Sequence, residues 1–339
     1  MGGGFGNKNQ NQDADLIAAT LSRRAGVPVM LEYSRREDWL GVHGRWPTVQ
    51  YYKVGVKDDG EVTAMQMRAY SGMGPYRKNS GGISGMDAYG CENRYREIHP
   101  VYTNRTTSGN FRAPSDPHGH YGVENMMDEV AYQLDMDPVE FTLKNMRRPT
   151  EQQQFTNYSL EEVINDGAQR FNWQTRRKVT PGSDEGPIKR GAGFSFMMFR
   201  AGVGTSSAIV RVNANEEYTL YVGVTDIGPG AKTTMGMIAA EALGVPLSQV
   251  EVVWGDTDRC PYSVGESGSR TTIMTGIAVV EAAEDLKRQI ADRGMPTGSD
   301  VLIASATPIP TTDGMTRQCF GAHFVEVEVD TRIGSTKIL

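Results

Sequence analysis

The sequence predicts a mixed α+β fold in which helices flank mixed sheets. Residues 49–69 and residues 208–224 each alternate apolar and polar side chains around a short polar turn, a pattern typical of β-hairpins. Residues 175–190 are polar and contain proline and glycine, so they read as a boundary. The chain is therefore expected to form two domains, at 1–175 and 190–339.

In the first predicted domain, apolar spacing and capping residues justify each helix. Leu16 and Leu21 supply the apolar face of a first helix, which Gly26 ends. Asp137 before Pro138 is typical of the start of another helix. Ser159 suggests a capping box before a further helix. The expected elements are, in order, a helix at 13–24, a strand at 29–33, the hairpin at 49–69, a long loop at 71–100, and helices at 119–134, after 137 and at 160–171.

In the second predicted domain, the same signals predict alternating helices and strands. The expected elements are, in order, the hairpin at 208–224, a helix at 233–243, a strand at 250–254, a helix at 271–293, and a second hairpin that starts with a strand at 324–330. The glycine loop at the N-terminus has no strand before it, and the last strand of that hairpin is poorly supported unless more protein follows or a partner covers it. We therefore expect either that this chain is a fragment or that other chains complete both ends.

Composition and charge exclude several classes of function. A formal net charge of −6 gives no attraction to nucleic acid or an anionic membrane, and no apolar run is long enough for a membrane span. No signal peptide is visible, so a cytoplasmic location is expected. Cys91, Cys260 and Cys319 have no metal or iron–sulfur spacing, and the five histidines form no metal motif, so no metal is expected to be held directly by the protein.

Four segments suggest binding of an anion. Residues 2–6, 228–230 and 264–271 are rich in small residues and each precedes a helix, so backbone N–H groups can face a phosphate there. Residues 107–114 place Arg112 beside a phenylalanine in a turn, which suits phosphate or carboxylate recognition. None of these segments fits the P-loop or the dinucleotide fingerprint. Together they predict a large anionic cofactor held at several points.

These four segments, in this order, resemble motifs of the molybdenum-binding subunit of the xanthine dehydrogenase/aldehyde oxidase family. GGGFGNK at residues 2–8 is similar to the family's GGGFGGK loop, and NFRAPSDPHG at 110–119 to its AFRGFGxPQG motif. GVTDIGPG at 223–230 resembles its GxxxxGQG loop, and GESGSRTT at 265–272 its small-residue loop for the pterin phosphate. The resemblance covers essentially the whole chain and implies the central portion of a two-domain molybdenum-cofactor-binding subunit.

The resemblance implies a molybdopterin cofactor with Mo, as molybdopterin cytosine dinucleotide if the protein is bacterial. It implies an oxidoreductase that hydroxylates an N-heteroaromatic or aldehyde substrate with water as the oxygen source. Electrons would pass to [2Fe-2S] clusters and FAD on partner chains. Further partners would supply the N- and C-terminal parts of the molybdenum subunit.

The resemblance also implies roles for individual residues. Gly4, Phe5 and Gly6 would lie near the metal, and Phe111 and Arg112 around the metal and the pterin. Further cofactor contacts would come from Gly228, Gly230, Ala231, Lys232, Ser267, Gly268, Ser269, Arg270 and Thr271.

Departures from the family motifs bear on the substrate and on catalysis. Asn9, counted with Phe111 and Arg112 among the candidate catalytic residues, stands where purine-specific members carry a glutamate. Pro114 replaces an aromatic residue, and Met86 is the nearest counterpart of a purine-binding arginine, so xanthine itself is not the expected substrate. Pro229 replaces a glutamine, which removes donors near the pterin. The family's general-base glutamate, in a GxGEPP-type segment, is not found in this chain, and Glu266 belongs to the phosphate loop instead.

Two alternatives therefore stay open. One is a non-catalytic structural or remnant subunit of the same fold that lacks the catalytic glutamate. The other is an unrelated phosphate-binding protein, against which the collinear order of the motifs argues.

Overall fold

The computed structural model describes residues 4–7, 13–76, 82–177, 183–309 and 315–339. The contacts divide the chain into two compact units, and neither unit is a continuous stretch. The first unit contains Met1–Arg45, Gly109–Arg112 and Ala201–Asp313, and the second contains Trp46–Ser108, Ala113–Arg200 and Gly314–Leu339. The expected limits of the cofactor-binding domains, 1–175 and 190–339, stay a prediction.

Helices and strands are mixed in both units, as the sequence predicts. The helices are α1 (Asp13–Ala25), α2 (Arg35–Gly41), α3 (Asp116–Gln133), α4 (Pro138–Asn145), α5 (Leu160–Phe171), α6 (Trp173–Arg176), α7 (Ala231–Leu243) and α8 (Thr271–Arg293). The strands are β1 (Thr48–Val56), β2 (Val62–Gly74), β3 (Arg94–Tyr102), β4 (Gln154–Phe155), β5 (Ile188–Arg200), β6 (Ala208–Asn213), β7 (Tyr218–Val222), β8 (Val250–Trp254), β9 (Val301–Ala306), β10 (Met315–Thr316), β11 (Gln318–Asp330) and β12 (Ser335–Ile338).

The first unit is built on a four-stranded sheet in the order β8-β7-β6-β9. β7 runs parallel to β8, while β6 is antiparallel to both β7 and β9. Alternate residues of β6, among them Val210 and Val212, are buried because they face α8. Ala278 and Ala282 of α8 are completely buried, and such small side chains let a helix lie close to a sheet.

The second unit contains two three-stranded sheets, β1-β2-β3 and β12-β11-β5, and the short pair β10-β4. β2 pairs antiparallel with β1 and parallel with β3, and β11 pairs antiparallel with β5 and β12. Helices α3 to α6 complete this unit, whose largest fully buried side chains include Tyr89, Phe141 and Phe196.

Most expected elements of regular pattern are confirmed. The hairpin at 49–69 is β1-β2, the hairpin at 208–224 is β6-β7, and α1, α3, α5, α7, α8 and β8 each match an expected element. Asp137 caps α4, since its carboxylate accepts a hydrogen bond of 2.8 Å from the N–H of Val139. Ser159 precedes α5 but its side chain makes no capping hydrogen bond there, so the expected capping box is wrong.

The expected strand at 29–33 is wrong, because no other strand pairs with that segment among the described residues. A helix that the sequence analysis did not predict, α2, follows it. Ser34 and Glu37 form its capping box, with the Ser34 N–H donating to the Glu37 carboxylate at 2.8 Å. The expected loop at 71–100 is also partly wrong, because β2 extends to Gly74 and β3 begins at Arg94.

Among the described residues, no helix combines the length and the apolar character that a membrane crossing requires. The cytoplasmic location stays a prediction.

Candidate functional site

The described parts of three candidate segments belong to the first unit, and so does Gly109–Arg112 of the segment at 107–114, whose other residues belong to the second unit. We call residues 4–7 the first loop, Gly109–Arg112 the second loop, residues 223–230 the third loop and residues 264–270 the fourth loop. The third loop connects β7 to α7, and the fourth loop directly precedes α8. Gly2, Gly3, Lys8 and the candidate Asn9 lie outside the described residues.

Backbone hydrogen bonds join the first loop to the second and third loops. The N–H of Arg112 donates to the carbonyl of Phe5 at 2.7 Å, and the N–H of Gly4 donates to the carbonyl of Ile227 at 2.8 Å. The rings of Phe5 and Phe111 meet edge to face, with centroids 6.2 Å apart. Three segments that lie about a hundred residues apart in the sequence therefore meet in one place.

The first and second loops adopt backbone conformations that glycine tolerates best. Phe5 has a φ of 51° and Arg112 a φ of 27°. Such a value costs an L-residue roughly 1–2 kcal/mol, so it persists only where neighbouring contacts hold the backbone. The hydrogen bond between Phe5 and Arg112 joins these two strained residues directly.

In the third loop, an acidic side chain holds the backbone N–H groups that the sequence analysis assigned to the cofactor. The Asp226 carboxylate accepts from the N–H groups of Gly228 at 2.9 Å and Gly230 at 3.0 Å. These hydrogen bonds lower the pKa of Asp226 below its ordinary value, so the carboxylate is ionised at neutral pH. A cofactor oxygen at Gly228 or Gly230 has to compete with this carboxylate.

The third and fourth loops are joined through Thr225 and Glu266. One oxygen of the Glu266 carboxylate accepts from the Thr225 N–H at 3.0 Å, and the other accepts from the Thr225 hydroxyl. Both carboxylate oxygens are thus engaged with the same residue. This geometry gives Glu266 a structural role in holding two loops together.

Arg270 braces the fourth loop from within. Its guanidinium donates to the carbonyls of Val264 at 2.6 Å, Gly265 at 3.2 Å and Val203 at 3.4 Å. The expected contact between Arg270 and a phosphate stays a prediction, and only the guanidinium's remaining donors serve it. The ammonium of Lys232, another expected cofactor contact, lies 5.9 Å from the centroid of the Trp254 ring.

The start of α8 fits an anionic cofactor better than the start of α7 does. Arg270, the N-cap residue of this 23-residue helix, makes no side-chain capping hydrogen bond. A Cβ built on Gly265 or on Gly230 would meet no atom within 4 Å, so open space adjoins both loops. Backbone N–H groups at a helix start, beside open space, are what a phosphate group requires. The residues present therefore fit a cofactor that carries phosphate groups.

A cleft of about 300 Å³ opens at the edge of the sheet where β7 and β8 end. Its walls are formed by Gly223, Thr225, Gly255, Asp256, Thr257, Cys260, Pro261, Tyr262 and Ser263. The two strands run parallel, and ligands of such sheets bind outside the carboxyl ends of the strands. Thr225 and Gly223 belong to the third loop, so the cleft adjoins the candidate site.

Several residues of this site were not predicted from the sequence. Asp226 precedes Gly228 by two residues, the spacing of an Asx-turn, so a local signal for it exists. The pair of Thr225 and Glu266 spans 41 residues and has no local signal. Arg45, which contacts the second loop, lies outside every quoted motif. Among the described residues, no three or more side chains of histidine, cysteine, aspartate or glutamate are placed to hold a metal ion.

Comparison with protein families gives two matches. A family model described as a molybdopterin cofactor-binding domain matches residues 1–146, and a second with the same description matches residues 166–306. All four loops lie within these matched ranges.

Similar curated proteins are oxidoreductase subunits. The xanthine dehydrogenase molybdenum-binding subunit of Escherichia coli O157:H7 is 31% identical over 311 residues, covering 86% of this chain and 41% of that protein. The aldehyde oxidoreductase molybdenum-binding subunit of Escherichia coli K12 is 28% identical over 369 residues, covering all of this chain and 50% of that protein. The chain thus spans half or less of the length of these relatives.

Solved structures share the fold. The aldehyde oxidoreductase from Desulfovibrio gigas superposes with a TM-score of 0.83 at 26% identity, covering 100% of this chain and 41% of that one. The quinoline 2-oxidoreductase from Pseudomonas putida 86 superposes with a TM-score of 0.85, covering 100% of this chain and 52% of that one. The second likeness, at 23% identity, concerns the fold alone.

Proposed function

Because this chain belongs to the family of molybdopterin-binding subunits of xanthine dehydrogenases and aldehyde oxidoreductases, we propose that its four loops hold Mo-molybdopterin for a hydroxylation reaction. The substrate class is an N-heteroaromatic compound or an aldehyde, and water is the oxygen source. The meeting of the first, second and third loops through two backbone hydrogen bonds, of 2.7 and 2.8 Å, carries this proposal.

The residues of the first and second loops would surround the metal side of the cofactor. Arg112, whose backbone N–H is held by Phe5, would orient and neutralise an anionic group there. Phe5 and Phe111, whose rings touch, would keep water away from the same region. When bound, the cofactor supplies the metal centre and its two-electron redox chemistry.

The start of α8 would hold the phosphate end of the cofactor. The N–H groups of Thr271 and its neighbours open this helix, and residues 267–270 shape the approach to it. We propose molybdopterin cytosine dinucleotide as the form bound. The cleft beside β7 and β8 supports a dinucleotide, because it extends the space available next to the third loop.

Partner chains would complete the enzyme. [2Fe-2S] clusters and FAD belong to separate chains in this proposal, since no cysteine spacing in this chain suits a cluster. The remaining parts of the molybdenum subunit, including the general-base glutamate, would lie outside residues 1–339. The apolar side chains of α1 support a protein partner: Leu16, Ile17 and Leu21 are all exposed, and α1 has no buried residue.

A second candidate function is a structural or remnant subunit without catalysis. The observation that favours it is Asp226, which occupies the N–H groups that flank Pro229 in the third loop. In this alternative, the loops keep their shape but bind no cofactor.

The test is purification from the native host under mild conditions, with molybdenum and iron measured and every co-purifying chain weighed by mass spectrometry. Stoichiometric molybdenum, together with iron–sulfur and flavin chains and a chain that carries the missing glutamate, is the expected result. A metal-free chain purified alone would support the structural or remnant subunit instead.

A substitution adds a test within the site. Arg112→Ala should lower the molybdenum content per chain, because the side chain is proposed to contact the cofactor. Arg105→Ala, at an exposed arginine of the preceding segment, is the control and should leave that content unchanged. Full molybdenum in the Arg112→Ala protein would contradict the placement of Arg112.

A further inference from the structure

Three consecutive residues, His43, Gly44 and Arg45, contact both the first and the second loop. The carbonyl of His43 accepts a hydrogen bond from the side-chain amide of Asn7 in the first loop. The carbonyl of Gly44 accepts from the N–H of Gly109 in the second loop at 2.9 Å. One short segment therefore supports two loops that are remote from each other in the sequence.

Arg45 makes two contacts with the second loop. Its guanidinium donates to the carbonyl of Arg112 at 2.6 Å, and its Cζ lies 5.4 Å from the centroid of the Phe111 ring. The N–H of Arg112 donates on its other side to Phe5. Both backbone polar groups of Arg112 are thus held, one by the first loop and one by Arg45.

The backbone of Arg112 needs such support. Its φ of 27° lies outside the favoured regions for an L-residue, and such conformations persist only where the surroundings hold them. The other end of the loop is held by packing. His43 is buried, and a Cβ added to Gly109 would lie 2.8 Å from the His43 Cβ, so the loop cannot shift toward His43.

We propose that Arg45 is a positioning residue for the cofactor site: by holding the Arg112 carbonyl and covering the Phe111 ring, it fixes the direction in which the Arg112 side chain leaves the backbone. This inference rests on the proposed function for the role of Arg112. The contacts of Arg45 with the second loop do not depend on any cofactor. The support of the loop and the proposed role of Arg112 in cofactor binding can therefore be tested separately.

The first experiment measures molybdenum per chain in the complex purified from the native host. Arg45→Met replaces the guanidinium with an unbranched apolar side chain and so removes the charge and the donors. We expect about a tenfold loss of molybdenum, by analogy with residues that orient the ligands of a metal. Arg45→Lys keeps a donor for the carbonyl but loses the planar guanidinium over the ring, so it should restore molybdenum only in part. Less molybdenum in Arg45→Lys than in Arg45→Met would count against the hydrogen bond to Arg112.

Arg259→Met is the matched control. Arg259 is an exposed arginine of the same unit that also lies over an aromatic ring, with its Cζ 5.8 Å from the centroid of Tyr221. Its loss should leave the molybdenum content unchanged. An equal loss in Arg259→Met and Arg45→Met would overturn the proposal, because it would indicate a general effect of removing a stacked arginine.

A double variant distinguishes positioning from mere stabilisation. If Arg45 acts through the side chain of Arg112, then adding Arg45→Met to Arg112→Ala lowers molybdenum no further than Arg112→Ala alone. Additive losses would overturn the proposal. Equal thermal midpoints of Arg45→Met and the wild-type complex would show that the loss is not one of folding.

The last measurement is hydrogen exchange at the Arg112 amide in the metal-free protein. Because this N–H donates to Phe5, it should exchange about tenfold faster in Arg45→Met than in wild type, while the rest of the first unit is unchanged. Unchanged exchange would overturn the proposal. If wild type holds no molybdenum at all, the proposed function fails, and this exchange result still decides whether Arg45 holds the loop.

Discussion

At the level of single residues, the second loop and the turn after it place non-glycine residues in left-handed backbone conformations. Ala113 has a φ of 53° and Ser115 a φ of 79°, close behind Arg112. The family motif that these residues resemble, AFRGFG, has glycine at both positions. Glycine adopts such φ values without a steric penalty, whereas the side chains of Ala113 and Ser115 make them costly in this chain.

This cost predicts the effect of restoring glycine. Ser115→Gly should raise the free energy of unfolding by about 0.5–1 kcal/mol, because glycine adopts a φ of 79° without a steric penalty. This gain exceeds the cost of the greater entropy that glycine gives the unfolded chain. Ser159→Gly is the control, since Ser159 has a φ of −129° and makes no capping hydrogen bond. Chemical denaturation of both variants gives the comparison, and a destabilised Ser115→Gly would mean that the serine side chain outweighs the strain.

Glu124 of α3 is a carboxyl group inside the core of the second unit. It accepts hydrogen bonds from the Tyr89 hydroxyl at 2.7 Å and from the Phe196 N–H at 3.2 Å. Burial, only partly offset by these bonds, raises its pKa to about 7. The folded protein therefore binds this proton more tightly than the unfolded chain does.

The raised pKa makes the free energy of unfolding fall as the pH rises. The stabilisation that the neutral carboxyl gives is complete below about pH 4.5, the ordinary pKa of a glutamate, and is lost as the pH rises through about 7. Up to roughly 3 kcal/mol of unfolding free energy is at stake. Glu124→Gln imitates the protonated form, so it should flatten the profile between these two pH values.

Denaturation at a series of pH values checks this prediction. Glu129→Gln, the same change at an exposed residue of the same helix, should keep the wild-type slope. If the Glu124→Gln profile also kept that slope, another group would be responsible for the dependence.

At the level of elements, the start of α7 depends on a side chain that precedes the helix by five residues. Asp226 accepts from two N–H groups just before the helix, and Gly230, the N-cap residue, has no side chain to do so. Asp226→Ala should therefore lower the free energy of unfolding by about 0.5–1 kcal/mol, as for the loss of a helix cap.

The same variant tests whether Asp226 competes with the cofactor for the N–H groups of the third loop. Removal of Asp226 frees the N–H groups of Gly228 and Gly230, so the molybdenum content of the complex should stay at the wild-type level or rise. Asp256→Ala, which removes a carboxylate from the cleft but not from the third loop, is the comparison. A marked fall in molybdenum specific to Asp226→Ala would mean that this carboxylate shapes the loop for the cofactor.

Elements with a strong local sequence pattern were predictable, whereas strands that form only because a neighbouring strand pairs with them were not. The hairpin β1-β2 alternates regularly around a turn, and its register follows from the sequence. β3 carries mostly exposed residues and contains Pro100, so it lacks the alternation of a half-buried strand. It forms because its backbone pairs in parallel with β2, which no local pattern reports. The converse holds at 29–33, where suitable residues find no strand to pair with among the described residues.

At the level of the whole molecule, the sequence predicted which segments belong to the site but not what holds them together. The glycine-rich loops and Arg112 are visible as motifs because their chemistry is local. The contacts of Arg45 with Arg112, and of Thr225 with Glu266, span 67 and 41 residues. Such contacts are consequences of the fold, so they follow from the structure alone.

The exposed apolar side chains of α1 lead to a prediction about assembly. Ile17 and Leu21, 47% and 46% exposed, lie one turn apart on the helix. The double variant Ile17→Glu, Leu21→Glu should leave the thermal midpoint of the chain nearly unchanged but reduce recovery of its partner chains about tenfold in co-purification. Thr20→Glu, at an exposed polar residue of the same helix, should reduce neither. Full recovery in the double variant would exclude α1 from the interface.

The placement of Gly109–Arg112 in the first unit has a consequence for heredity. These four residues are flanked on both sides by residues of the second unit, while the sheet of their own unit begins about a hundred residues later. A recombination event that exchanges residues 201–309 as a block between related genes leaves the second loop behind and so joins halves of two different sites. The stretches 4–45, 109–112 and 201–309 must descend together for a working site to be inherited.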